Sequence, residues 1–268
     1  MRIPAAALLS TLAVSPLLAA LPDATTIINK TKAALEPEKS SVRRLTLRVT
    51  GPGGGASQMT VGQARKRVGG TPTVLMIVMA PEALKGTALL VKESAETNVQ
   101  WLYVPAVGRV RKLVSPEAYT TFLNSDFTFA DLGFVSMGAK YSLSGEEKRE
   151  SLATYKLEGI PRDTWYYSRL LVWVASDTFL PVERDFFDVG NALFKVQRWS
   201  GVTTIDGVST ALNVSMENVQ AKTKTEITVD ALRYDVDVPD ALLDPDALPS
   251  AASSPLWSGL AAPAGGPS

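Results

Sequence analysis

From Val42 onward the chain adopts a period of two and keeps it for most of its length. Leu45, Leu47 and Val49 alternate with Arg44, Thr46 and Arg48, so one side of that segment is dry and the other wet. Further strand candidates follow at 59–68, 73–79, 87–92, 99–104, 109–113, 141–148, 152–160, 167–174, 181–187, 193–204, 208–219 and 225–234. Many short strands joined by turns, such as the Gly51-Pro52-Gly53-Gly54-Gly55 connection, imply antiparallel pairing, because parallel strands need long crossovers between them. Tyr155 with Leu157, Ile227 with Val229, and Leu212, Val214 and Met216 each form one dry face. A sheet with one dry face must cover it. Helical patterning is scarce: 23–39, with Asp23 as N-cap and Ile27, Ile28, Thr31, Ala34 and Leu35 on one side; 115–133; and 239–248. A single curved antiparallel sheet wrapped around a few helices satisfies all of this.

Composition narrows the chemistry. The 268 residues contain no cysteine and no histidine, which rules out disulfides, a Ser–His relay, a Cys–His pair and any imidazole zinc site. Lys plus Arg and Asp plus Glu are equal at 27 each, so no net field draws in nucleic acid. The local clusters Arg43-Arg44, Arg65-Lys66-Arg67 and Arg109/Arg111/Lys112 read as solvated strand faces. The acids Asp235, Asp237, Asp240, Asp244 and Asp246 lack the glycine a calcium loop requires and read as turn residues. No phosphate-binding loop or dinucleotide fingerprint occurs. No catalytic residue, metal or cofactor is expected.

Residues 1–20 read as a cleaved signal peptide: Arg2, then a run of small residues and leucines too short and too Pro-interrupted to span a membrane. Residues 21–248 form the folded domain, and 249–268, rich in Ala, Ser, Pro and Gly, read as a disordered tail. The mature protein is expected in the periplasm, without a transmembrane segment.

The stretch FLNSDFTFADLGF, residues 122–134, mixes two acids with several rings. Thr128 and Asp131 stand in capping-box relation, and Ser125 and Asp126 are turn residues, so the acids read as caps rather than a catalytic pair. The rings are left to pack on the sheet or on an apolar ligand. Residues 73–79 and 170–174 are apolar on both faces, which means either burial under a loop or in a dimer, or the wall of a cavity.

Five motifs in order then carry a resemblance. They are Lys85-Gly86-Thr87; Trp101-x-Tyr103-x-Pro105 running into Gly108-Arg109-Val110-Arg111-Lys112; Ser125-Asp126-Phe127-Thr128 with Asp131-Leu132; Tyr155-x-Leu157-Glu158-x-x-Pro161; and Leu180-Pro181 followed by Phe186-Phe187-Asp188. In this the chain resembles the outer-membrane lipoprotein-sorting protein family. Asn124 and Ala130 depart from the pattern, standing where a glycine and an acid are common. The resemblance implies the LolA/LolB-like fold, an incomplete antiparallel barrel with helices as a lid over an apolar cavity. It implies a periplasmic carrier of lipid or lipoprotein acyl chains, working with an inner-membrane RND- or MMPL-type transporter. On that reading Trp101, Tyr103, Phe127, Phe129, Leu132, Phe134 and Trp173 line the cavity, and Arg109 and Arg111 meet headgroups or a partner surface. The rival reading is a non-carrying periplasmic adaptor or sensor whose cavity is filled by its own helices.

Overall fold

The computed structural model describes residues 21–93, 98–132, 138–162 and 166–260. The expected signal peptide and Phe134 lie outside the described residues. The strands are β1 (Ser41–Thr50), β2 (Ala56–Val68), β3 (Thr71–Ala80), β4 (Ala88–Glu93), β5 (Asn98–Val104), β6 (Arg109–Leu113), β7 (Lys140–Arg149), β8 (Leu152–Ile160), β9 (Arg169–Ala175), β10 (Pro181–Phe187), β11 (Leu193–Ile205), β12 (Val208–Asn218) and β13 (Thr223–Tyr234). They form one 13-stranded sheet in the order β6-β5-β4-β3-β2-β1-β13-β12-β11-β10-β9-β8-β7. Every neighbouring pair is antiparallel, and the sheet is open, not closed into a barrel.

That order is two meanders joined where the first strand meets the last. β1 pairs with β13 over its whole length, from Ser41 opposite Tyr234 to Thr50 opposite Lys224, with a register shift at Arg44/Leu45. The edges are then β6 and β7, which are consecutive in the chain. Their connection must therefore travel from one edge of the sheet to the other. It does so across the inner face: Phe122 and Phe129 pack with Leu45, Leu47, Val61, Met76 and Leu89, while Phe127 packs with Leu170, Phe186 and Met216 on the opposite half.

The crossover is not one helix over 115–133. It makes two single turns, α2 (Ser115–Ala118) and α3 (Phe129–Leu132), with an antiparallel bridge Thr121–Thr128 between them. Leu123 and Asn124 have φ values of 49° and 61°, a left-handed turn that a continuous helix cannot contain. The N-terminal helix α1 (Ala24–Leu35) forms as expected. Asp23 caps it by accepting from the Thr26 amide at 2.7 Å, and Ile27, Ile28 and Thr31 are buried. Its apolar side lies on Leu157, Val172 and Val174, covering the β7–β9 part of the inner face.

The outer face is also covered, by the C-terminal segment. Val238, Leu243, Leu248, Ala251, Trp257 and Leu260 pack on Val42, Ala64, Leu75, Ile77, Ala88 and Leu90. The expected helix 239–248 is instead two 3₁₀ turns, Asp240–Leu243 and Pro245–Ala247, because Pro245 offers no amide to continue the first. Of the tail expected to be disordered, 249–268, residues 249–260 run on as two more 3₁₀ turns, and 261–268 lie outside the described residues. Trp257 donates its indole N–H to the Ala251 carbonyl at 2.8 Å and lies so close over Gly62 that a Cβ there would meet its ring at 2.8 Å. Burial under this segment accounts for the two apolar faces of β3.

Candidate functional site

The site is the hollow between the curled inner face, α1 and the crossover. The crossover is fastened to the sheet by polar groups that are themselves buried. Thr128 and Asp131 cap α3 reciprocally: the Thr128 amide donates to Asp131 Oδ2 at 2.8 Å and the Asp131 amide to Thr128 Oγ1 at 3.0 Å. Asp131 also accepts from the Tyr167 hydroxyl at 3.0 Å and from Lys195 Nζ at 3.3 Å. Lys195 donates a second bond to the Asp126 carbonyl at 2.7 Å. The Asp126 carboxylate accepts from Thr225 at 2.8 Å and from Thr223, and its amide donates to Thr225 Oγ1 at 2.9 Å. β13, the strand at the centre of the sheet, thus holds the middle of the crossover. Burial, then the charge of Asp131, pushes the Tyr167 phenol well above its ordinary range, so it stays a donor.

A cavity of about 180 Å³ remains beneath this strap. Leu45, Met76, Phe127, Leu132, Val214, Ile227 and Val229 supply its apolar wall. Arg43, Gln63, Arg65, Tyr234, Arg184 and Gln197 supply its polar part, together with the Asp131 carboxylate. Burial lowers the pKa of Arg43 and Arg184, and burial with the adjacent Arg43 charge brings Arg65 to about 10. A guanidinium is not deprotonated in a folded protein, so all three carry positive charge. Arg184 donates to Gln197 at 2.8 Å and faces the Trp199 ring at 5.5 Å. Arg65 donates to the Leu35 carbonyl at 2.8 Å, which ties it to the last turn of α1.

The site residues named from the sequence separate into groups. Phe127 and Leu132 line the cavity. Phe129 stacks edge-on against Phe122, centroids 5.6 Å apart, in the inner core beside it. Trp101 and Tyr103 do share a face, but it is the outer one, beside the cluster that the C-terminal segment completes. Trp173 lies outside the inner core clusters, covered by Arg149 at 4.0 Å and Lys156 at 5.3 Å from its ring centroid. Arg109 is exposed, and Arg111 pairs with Glu117 at 2.6 Å. Arg43 and Arg65, which the sequence reading left on solvated faces, point inward. The signal was present: Arg43 is in phase with Leu45 and Leu47, and Arg65 with Met59 and Val61. Nothing in the pattern marked Lys195 as buried. Among the described residues no group of acids could hold a metal ion, and no helix is long and apolar enough to cross a membrane.

A family model described as that of an uncharacterized protein matches residues 70–250, well over half of the chain. The chain belongs to that family. No curated protein sequence matches it. Among solved structures, this family member is similar to a DUF1329 family protein from Desulfovibrio piger, with 25% identity, a TM-score of 0.76, and 84% of this chain and 98% of that chain covered. It is similar to a domain from Vibrio parahaemolyticus described as an outer membrane lipoprotein-sorting protein, with 24% identity, a TM-score of 0.77 and coverage of 84% and 97%. A LolA superfamily protein from Nitrosomonas europaea matches at 19% identity, a TM-score of 0.68 and coverage of 84% and 99%. The fold is the LolA/LolB-like one, and the resemblance drawn from the motifs holds.

Proposed function

We propose that this protein is a periplasmic carrier that shelters the acyl chains of a lipid or lipoprotein and passes them toward the outer membrane. Export by a cleaved signal peptide and an inner-membrane partner of RND or MMPL type belong to the same reading. The observation that carries it is the hollow itself, which the crossover and α1 roof over without filling. Each CH₂ taken out of water contributes roughly 0.8 kcal/mol, so a chain of about fifteen carbons gains up to about 12 kcal/mol before the cost of association. The cavity of about 180 Å³ is below the ~300–1,000 Å³ of pockets that enclose a whole drug-sized ligand. Loading a full chain therefore requires the roof to move.

The tight fastening of the crossover by Asp126, Asp131 and Lys195 favours a second reading, an adaptor or sensor that keeps its hollow closed. Two measurements separate them. Lipid extracted from the purified protein is identified by mass spectrometry, and the delipidated protein is titrated with a fluorescent fatty-acyl probe. The carrier takes up the probe, and Val229→Trp, which fills the cavity, abolishes uptake. Absence of both co-purified lipid and uptake leaves the adaptor.

A further inference from the structure

The inner face changes character along its strands. On β1 it runs Leu47, Leu45, Arg43; on β2 it runs Met59, Val61, Gln63, Arg65. Arg43 is directly opposite Gln63, and Arg65 is its diagonal neighbour. On β13 the face passes from Ile227 and Val229 to Tyr234, whose hydroxyl is 3.4 Å from an Arg43 terminal nitrogen and 2.8 Å from Thr210 Oγ1. One end of the cavity is therefore oily and the other is a cluster of guanidinium, amide and hydroxyl donors.

Within that cluster Arg43 has no carboxylate counter-charge. Arg43 makes no ion pair with a carboxylate among the described residues, and its Nε is buried without a hydrogen-bond partner. The nearest acids serve other groups. Asp131 is bonded to Lys195, Tyr167 and Thr128, and Asp126 to the two threonines of β13. Glu36 and Glu93 stand beside Arg65; burial, then the neighbouring Glu36, pushes Glu93 up to about 9, so Glu36 is the acid whose charge serves Arg65, and neither acid acts on Arg43. A buried cation without a counter-charge is costly, and an incoming anion removes that cost.

Resting on the carrier reading, we propose that the cargo is an anionic amphiphile. Its acid group, a carboxylate or phosphate, is bound by Arg43 with Tyr234 and Gln63, and its tail lies along Leu45, Val229, Ile227, Phe127 and Leu132. Arg65, diagonal to Arg43, ties the site to the end of α1. Arg184 adds positive potential from the β10 side.

The test compares cis-parinaric acid with its methyl ester, the same fluorescent chain with and without charge, on delipidated full-length protein at pH 7. The acid binds at least about tenfold more tightly, the factor carried by one charge-assisted hydrogen bond. Arg43→Gln lowers the acid to the affinity of the ester, with a far-ultraviolet circular dichroism spectrum and urea midpoint close to wild type showing that the variant is folded; Arg43→Lys restores part of the preference, and Tyr234→Phe reduces it. Equal binding of acid and ester by the wild type overturns the head-group assignment and leaves the carrier reading standing. Preference retained in Arg43→Gln removes Arg43 from the site. Displacement of the acid by millimolar inorganic phosphate assigns the pocket to a free oxyanion and overturns the amphiphile. Failure of both probes to bind sinks the carrier reading, and this inference with it.

Discussion

Replacing Lys195 by methionine tests what holds the crossover over the hollow. The Lys195 side chain is 2% exposed and that of Asp131 is 0% exposed, so the pair has almost no contact with water. Methionine matches the length of the stem and removes only the cation. Asp131 then keeps Tyr167 and Thr128 as donors but loses its bonded cation, and the buried Asp126 carbonyl loses its lysine donor. Breaking a buried ion pair from one side costs about 3–5 kcal/mol, because a charge is left uncompensated. For a chain of this size about 2–4 °C of Tm is lost per kcal/mol, so the melting temperature falls by roughly 6–20 °C. Reversible urea unfolding followed by circular dichroism gives the free energy directly. Asp131→Asn costs a similar amount for the mirror-image reason. The double variant Lys195→Met/Asp131→Asn is less damaged than the sum of the two singles, with a coupling above about 1 kcal/mol. A Lys195→Met protein within about 1 kcal/mol of wild type, or single effects that simply add, would refute the claim that this pair fastens the strap.

Two further outcomes follow from other parts of the fold. Trp257→Ala removes a ring that lies over Gly62, and it costs about 3 kcal/mol in the same urea assay; a change below about 0.5 kcal/mol would mean that the C-terminal segment is not part of the core. Glu93, pushed from 4.5 to about 9, holds a proton in the folded protein that the unfolded chain has released between those values, so its contribution to stability is full below pH about 4.5 and declines as pH rises through about 9. Glu93→Gln therefore melts higher than wild type at pH 8 and the two converge near pH 4.5; parallel curves across that window would exclude Glu93 as the source of the slope.

Local periodicity carried most of the sheet. The strand expected at 59–68 lies inside Ala56–Val68, 181–187 coincides with Pro181–Phe187, and 225–234 lies inside Thr223–Tyr234. This succeeds because a strand that is half-buried must alternate, whatever its partner. The helical expectations were weaker where they rested on composition alone. Residues 115–133 are expected as one helix, but the crossover turns back on itself where Asp126 meets β13, and Leu123 and Asn124 make that turn in the left-handed region. The C-terminal segment was misread for a related reason: its Ala, Ser and Pro content lacks the apolar mass to fold alone, yet Leu248, Ala251, Trp257 and Leu260 suffice once β1–β4 present a second apolar face beneath them.

The site was harder to read because alternation reports only that two residues share a face, never which face becomes the inner one. Trp101 and Tyr103 obeyed the pattern and were assigned to the wrong side, since β3, β4 and β5 are buried on both sides and their apolarity does not distinguish a hollow from a docked segment. The informative residues were the exceptions within a phase. Arg43 follows Leu47 and Leu45, and Arg65 follows Met59 and Val61, each a charge placed where the pattern calls for an apolar side chain. A charge held in that phase accepts the cost of desolvation, and it persists only where a structural partner or a ligand offsets that cost. Arg65 has the carbonyl of Leu35 at 2.8 Å. Arg43 has the hydroxyl of Tyr234 at 3.4 Å and no carboxylate among the described residues, and that difference between two neighbouring arginines singles out one end of the cavity as the place where an anion would be bound.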